Sequence, residues 1–128
     1  MLRDGLFDGQ DDAQGTLIHV ADGYGFEVRV IGNAGEAIIA VAGEIDMATA
    51  RLLGQVMDGA CEGRERLVVD LTGTTFIDSS GLVVLVRAHQ RLGRRPGAVV
   101  VHASDPHVRQ VFRISGVDSL ITVTSAPP

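Results

Sequence analysis

Hydrophobic positions along the chain change their period several times, and these changes predict alternating strands and helices. Residues 26–31 alternate apolar and polar side chains, which is typical of a half-buried strand. Residues 37–43 are nearly all apolar, which predicts a strand covered on both faces. The complete set of predicted strands is 16–20, 26–31, 37–43, 66–72, 98–103 and 117–124.

Helical spacing of apolar residues predicts three helices. The first follows Asp46, which has the side chain of an N-cap, and ends before Gly63. The second runs from Ser79 or Ser80 to about Leu92. The third lies within residues 104–116, with Ser104 or Asp105 as its cap, Pro106 at its first position and Gly116 just past its end.

Strands that alternate with helices indicate the α/β class with right-handed crossovers. We therefore expect a mixed, mainly parallel β-sheet with an antiparallel first strand, packed against about three to four helices. Residues 1–15 are acidic, rich in glycine and poor in apolar side chains, so they are expected to form a flexible tail before a single domain at 16–125.

Composition excludes several classes of function. The 128 residues carry a formal charge of −5, with no tryptophan and one tyrosine, which disfavours binding of nucleic acid. The apolar runs are too short to span a membrane, and the acidic N-terminus does not resemble a signal peptide. A single cysteine, Cys61, forms no internal disulfide and suits a reducing compartment, so a cytoplasmic protein is expected.

The stretch FIDSSGLVVLV (76–86) places Asp78, Ser79, Ser80 and Gly81 between a strand and a helix. The segment GEID, which contains Asp46, follows the 37–43 strand in the same way. If the two strands are neighbours, the two carboxylates flank the two serines at the carboxyl edge of the sheet. The residues alone leave two interpretations open: an ordinary helix cap, which needs only one such group, or a recognition site.

Catalytic and metal sites find little support in the sequence. Ser79 lacks the Gly-x-Ser-x-Gly elbow, and none of the four histidines is an evident base for it. The sequence has no cysteine–histidine cluster with the spacing of metal ligands and no glycine-rich nucleotide loop. We therefore expect no catalytic residue, no metal and no cofactor, and we expect Cys61 to be a packed, unreactive thiol.

Three separated segments resemble the STAS domain in its bacterial form, the anti-sigma factor antagonist. They are LVVDLTGTTFIDSSGLVVLVRAHQRL (67–92), VAGEIDMATA (41–50) and HVRQVFRISGVDSLITV (107–123). Their order matches that of the family, and the resemblance covers about residues 26–124. The resemblance implies the STAS-like fold.

The resemblance also implies a phosphorylation switch. In the family, the serine directly after the aspartate is phosphorylated by the anti-sigma factor, an ATP-dependent serine kinase; this position is Ser79, with Ser80 as the alternative. Asp46 and Asp78 match the acidic residues beside the site. The unphosphorylated antagonist binds the kinase and releases the sigma factor, and a PP2C-type phosphatase restores it. ATP is bound by the kinase and not by the antagonist.

A docking patch is expected around the serine, formed by Gly81, Leu82, Val83 and Val86. The open alternative is that these side chains all pack inward. Val83 departs from the family, which often has glycine at this position, and its bulk is expected to reshape the surface offered to a partner. A different function is also compatible with the resemblance, since some STAS domains are accessory subunits of a transport ATPase or of a larger signalling assembly.

Overall fold

The computed structural model describes residues 17–125 as a six-stranded sheet with three α-helices. The flexible tail predicted at 1–15 lies outside the described residues. In chain order the elements are β1 (Leu17–Ala21), β2 (Glu27–Gly32), β3 (Glu36–Ala42), α1 (Met47–Cys61), β4 (Arg66–Gly73), α2 (Ser79–Arg91), β5 (Val99–His102), α3 (Pro106–Ser115), a 3-10 turn (Val117–Ser119) and β6 (Thr122–Thr124).

The strands lie in the sheet in the same order as in the chain. Strand β2 is antiparallel to both β1 and β3, while β3, β4, β5 and β6 pair in parallel. The predicted mixed, mainly parallel sheet is confirmed. Its reversed strand is the second in chain order, because β1 precedes it as an edge strand.

The hydrophobic core lies between the helices and one face of the sheet. Helix α1 packs on β2, β3 and β4, and α2 packs on α1 and β5. The prediction that residues 37–43 are covered on both faces was wrong for β3, in which buried and more exposed positions alternate and Ile38 is 38% exposed. Helices cover only one face of the sheet at β3, so the apolar composition of this strand does not mean that both of its faces are buried. In β5, by contrast, Val99, Val100 and Val101 are all buried.

The predicted last strand, 117–124, is much shorter in the structure. Only Thr122–Thr124 pair with β5, and Val117–Ser119 form a 3-10 turn. Gly116 has φ 82, which ends α3 and reverses the chain, and the Ser119 hydroxyl donates to the Gly116 carbonyl at 2.7 Å. The residues after α3 are therefore used to turn back to the sheet.

The other helix boundaries agree with the sequence. Asp46 is the N-cap of α1, and Asp105 caps α3 with Pro106 at its start. Cys61 is buried at the end of α1, and burial raises the pKa of its thiol, with Arg91 partly opposing that rise. Within residues 17–125, no helix combines the length and the hydropathy needed to cross a membrane.

Candidate functional site

The ends of β3 and β4 are joined by a short parallel bridge between Ile45 and Ile77. The Ile45 N–H donates to the Phe76 carbonyl at 2.8 Å, and the Asp78 N–H donates to the Ile45 carbonyl at 3.1 Å. Both isoleucines are fully or almost fully buried. The bridge therefore places Asp46 and Asp78, the residues that follow, at the same edge of the sheet, as the sequence predicted.

Asp78 is the N-cap of α2. Its Oδ1 accepts the N–H of Ser80 at 2.9 Å and the N–H of Gly81 at 3.4 Å, which satisfies two of the amides that a helix start leaves unpaired. The same oxygen accepts the hydroxyl of Ser80 in a short hydrogen bond. Of the polar groups that the sequence left open as a cap or a recognition site, Asp78 is thus the one that caps α2.

The two serines have different environments. The Ser80 hydroxyl is half-buried and is held by Asp78. Ser79 is the first residue of α2, is exposed, and within residues 17–125 its hydroxyl has no hydrogen-bond partner. Capping accounts for Asp78 and engages Ser80, but it does not use the Ser79 hydroxyl.

Asp46 forms a capping box at the start of α1. Its Oδ1 accepts the N–H groups of Ala48 and Thr49 at 3.0 Å, and the Thr49 hydroxyl accepts the Asp46 N–H at 2.9 Å. The hydrogen bond from the Thr49 N–H lowers the pKa of the Asp46 carboxyl below its ordinary value of 3.8, and desolvation partly opposes this. The Asp46 carboxylate is therefore hydrogen-bonded to the start of its own helix, α1, and not to the two serines.

Asp46→Asn is expected to remove one component of the acid sensitivity of the fold. A carboxyl whose pKa is lowered by folding stabilises the native state above its unfolded pKa, and that stabilisation is lost as the pH falls through the lower folded pKa. Asparagine caps as well as aspartate but does not titrate. Urea unfolding should give similar free energies of unfolding for both proteins at pH 7, and the wild type should lose more than the variant below pH 3.8. Equal losses in the two proteins would contradict this role for Asp46.

The residues after the serines divide between core and surface. Gly81 is buried and Leu82 is only 8% exposed, so these two predicted docking residues belong mainly to the core. Val83 is 53% exposed, and Val86 is partly buried against the core. The expectation that the patch includes surface from Val83 and Val86 is compatible with the structure, whereas Gly81 offers no side chain.

A groove between α2 and α3, which we call the α2–α3 groove, opens beside Ser79. It has a volume of about 640 Å³, and its lining includes Ser79 and Leu82 together with Phe76, Val111 and Ile114. Phe76 is 45% exposed and Ile114 is 76% exposed. The remaining lining residues are Glu44, Thr75, Ile77, His107, Val108, Gln110 and Ser115.

The sequence did not identify this groove as part of the site. Ile114 carried a usable signal, because it is apolar but out of phase with Val108 and Phe112, the buried positions of α3. Phe76 carried another, as a large apolar residue in the β4–α2 connection. That α3 lies next to α2 depends on the folded structure and could not be derived from either segment.

A second groove, which we call the α2 groove, runs along the other side of Ser79. Its volume is about 370 Å³. It is lined by Ser79, Leu82, Val83, Val86, Arg87, Gln90 and Val117. Ser79 therefore lies between two largely apolar concavities, at the exposed start of a helix.

Within the described residues, we looked for a histidine near Ser79 and for a group of metal ligands. His89 lies on α2 and is buried, away from the exposed Ser79. Residues 17–125 contain no group of three or more histidine, cysteine, aspartate or glutamate side chains arranged to hold a metal ion.

Sequence comparison identifies relatives over most of the domain. A family model described as Mlab, STAS domain matches residues 29–122. An anti-sigma-B factor antagonist from Listeria monocytogenes is 32% identical over 87 residues, which cover 66% of this chain and 75% of that protein. An anti-sigma F factor antagonist from Paenibacillus polymyxa is 26% identical over 99 residues, covering 76% of this chain and 85% of that protein.

Structure comparison agrees with the sequence matches. The crystal structure of an anti-sigma factor antagonist from Mycobacterium paratuberculosis superimposes with a TM-score of 0.69 and 26% sequence identity. The superposition covers 87% of each chain. The six-stranded sheet and its helices therefore have a close counterpart among solved structures.

Proposed function

Because this chain belongs to the STAS domain family, with relatives named anti-sigma factor antagonists, we propose that it is an anti-sigma factor antagonist controlled by phosphorylation of Ser79. The unphosphorylated protein binds an anti-sigma factor, which is a serine kinase, and so releases a sigma factor. Phosphorylation by that kinase blocks binding, and a PP2C-type phosphatase reverses it.

The observation that carries this proposal is the state of the Ser79 hydroxyl. It is exposed at the first position of α2 and has no partner within residues 17–125, whereas Ser80 is tied to Asp78. A kinase must reach the hydroxyl and orient it for attack on the transferred phosphoryl group. Ser79 meets that requirement without disturbing the cap, while Ser80 would first have to break its hydrogen bond.

The fold can accommodate a phosphate at this position. The group adds about −1.5 to −2 charges, and the N-terminus of a helix favours a negative charge by about 0.3–1 kcal/mol. The carboxylate of Asp78 repels it, but Ser79 is exposed, so water and salt weaken that repulsion. We therefore expect the start of α2 to remain folded when Ser79 is phosphorylated.

Phosphorylation of Ser79 affects the binding of a partner far more strongly than it affects the fold. Ser79 lies between the α2–α3 groove and the α2 groove, so a partner seated on either of them covers the hydroxyl. Burying a phosphate without a matching cation costs several kcal/mol. Phosphorylation thus blocks docking electrostatically, with no change of fold.

Apolar surface beside the serine supplies the attraction in the unphosphorylated state. Phe76, Val83 and Ile114 are exposed around Ser79. Exposed aliphatic and aromatic side chains that flank a groove mark a protein-binding surface. Val83 and Val86 are therefore proposed as contacts on α2, with Asp46 and Asp78 holding the two helix starts that frame the surface.

The proposal is tested by locating the phosphate. The kinase retained by the unmodified protein from extracts of its own cells is incubated with ATP and with wild type, Ser79→Ala or Ser80→Ala. We expect mass spectrometry to find one phosphate, on Ser79, in the wild type and in Ser80→Ala, and none in Ser79→Ala. Phosphate on Ser80, or equal modification of both alanine variants, would refute the assignment.

The alternative of an accessory subunit of a transport ATPase requires no reactive hydroxyl at position 79. The exposed, unbonded Ser79 therefore favours the antagonist. Capture of a transport ATPase from the same extracts, with no phosphorylation of either serine, would favour the accessory subunit instead.

A further inference from the structure

The α2 groove has one charged residue in its lining, Arg87. The rest of the lining is Ser79 and Gln90 together with the aliphatic side chains of Leu82, Val83, Val86 and Val117. A hydroxyl and a guanidinium are thus set along one helix, with apolar surface between them.

Helix geometry fixes the spacing of these two groups. Ser79 and Arg87 are eight residues apart on α2, so their Cα atoms are separated by about 12 Å along the helix axis and by about 80° around it. Val83 lies between them and is more than half exposed. A partner segment of about two helical turns, or four extended residues, is long enough to contact both ends.

The guanidinium of Arg87 is available for an ion pair. The salt bridges found within residues 17–125 join Glu27 and Glu36 to His19, Arg29 and Arg66, all on strands. Arg87 is exposed and takes part in none of them. An arginine presents a planar fork of donors that matches a carboxylate, so a carboxylate is its natural partner.

The Ser79 end of the surface has the opposite charge. Glu44 is exposed and lines the α2–α3 groove beside Ser79, and the half-buried Asp78 precedes the serine. The surface is therefore acidic at the start of α2 and basic two turns later. Such a charge gradient orients a partner, because the reversed orientation would place like charges together.

We infer that the α2 groove receives a segment of the anti-sigma factor that carries an apolar side chain and a carboxylate, with the carboxylate paired to Arg87. The apolar side chain rests on Leu82, Val86 and Val117, and the pair with Arg87 sets the direction of docking. This assignment rests on the proposed function, since it specifies the partner chemistry at the same surface.

Charge reversal at Arg87 tests the assignment. Binding of the kinase that phosphorylates this protein is measured by calorimetry at 50 mM and 300 mM salt, for wild type, Arg87→Glu and Arg87→Ala. We expect Arg87→Glu to weaken binding about 10- to 100-fold at low salt and Arg87→Ala to weaken it less. The loss should shrink at high salt, because screening weakens both the attraction and the repulsion.

Arg109→Glu is the matched control. Arg109 is exposed on α3 and lines neither groove. Its replacement by glutamate makes the same change of charge as Arg87→Glu. Equal affinities of Arg87→Glu and Arg109→Glu would overturn the assignment.

Ser79→Asp, measured in parallel, separates the two proposals. If Ser79→Asp weakens binding and Arg87→Glu does not, the partner switch stands and the carboxylate contact is wrong. If Ser79→Asp binds like the wild type, the proposed function itself fails, and the inference fails with it.

Discussion

Replacing Ser79 with aspartate is expected to weaken binding of the anti-sigma factor kinase about a thousandfold, which corresponds to ~4 kcal/mol. The aspartate places a permanent negative charge at the first position of α2, where the hydroxyl is exposed between two apolar grooves. A partner seated there would bury that charge without a counterion, at a cost of several kcal/mol. The circular dichroism spectrum should remain unchanged, because a negative charge is favourable at a helix N-terminus.

Calorimetry on the purified kinase measures this effect, with two variants as controls. Ser104→Asp adds the same charge at an exposed serine that lines neither groove, and its affinity should match that of the wild type. Ser79→Ala should also bind like the wild type, since it removes the hydroxyl but adds no charge. Wild-type affinity in Ser79→Asp would show that the partner does not cover this residue.

Gly81→Val is expected to lower the free energy of unfolding by about 3 kcal/mol. A Cβ added at Gly81 would lie 2.7 Å from Cγ2 of Ile45 and 2.7 Å from Cγ1 of Ile77. These isoleucines form the bridge between the ends of β3 and β4, and both are buried, so neither can move away without disturbing the sheet. Gly81 therefore allows α2 to begin directly against the bridge.

Gly59→Val provides the matched comparison for urea unfolding. Gly59 is an exposed glycine within α1, and a Cβ added there would meet no atom within 4 Å. Helix propensity slightly favours valine over glycine, so the free energy of unfolding should change by less than about 0.5 kcal/mol. Equal losses in the free energy of unfolding for the two substitutions would mean that the close approach to Ile45 and Ile77 is not the reason why position 81 requires glycine.

The sequence predicted where the strands and helices lie better than it predicted which faces of the strands are buried. Helix starts at Asp46 and Asp105 were predictable because capping is local chemistry. Exposure of Ile38 was not, because it depends on which face of the sheet the helices cover. The short last strand was missed for a similar reason: residues 117–124 are apolar enough for a strand, but part of the segment is needed for the turn after Gly116.

The site shows the same division. The order of residues in DSSG was enough to predict a helix start with two hydroxyls near carboxylates. It was not enough to assign Asp78 as the cap or to distinguish the bonded Ser80 from the unbonded Ser79, because both depend on the direction of each side chain. Each groove beside Ser79 combines residues of α2 with a residue more than 30 positions beyond Ser79 in the chain, Ile114 in one groove and Val117 in the other, and only the folded structure brings them together.

The hydrogen-bonded bridge between Ile45 and Ile77 has a consequence for response time. The bridge makes the junction that carries Ser79 an ordered part of the sheet. If Ser79 is phosphorylated as proposed, we expect that no segment has to become ordered before the phosphate is added or removed. The rate of switching should then follow the turnover and the concentrations of the kinase and the phosphatase, with no lag from slow rearrangement of this protein.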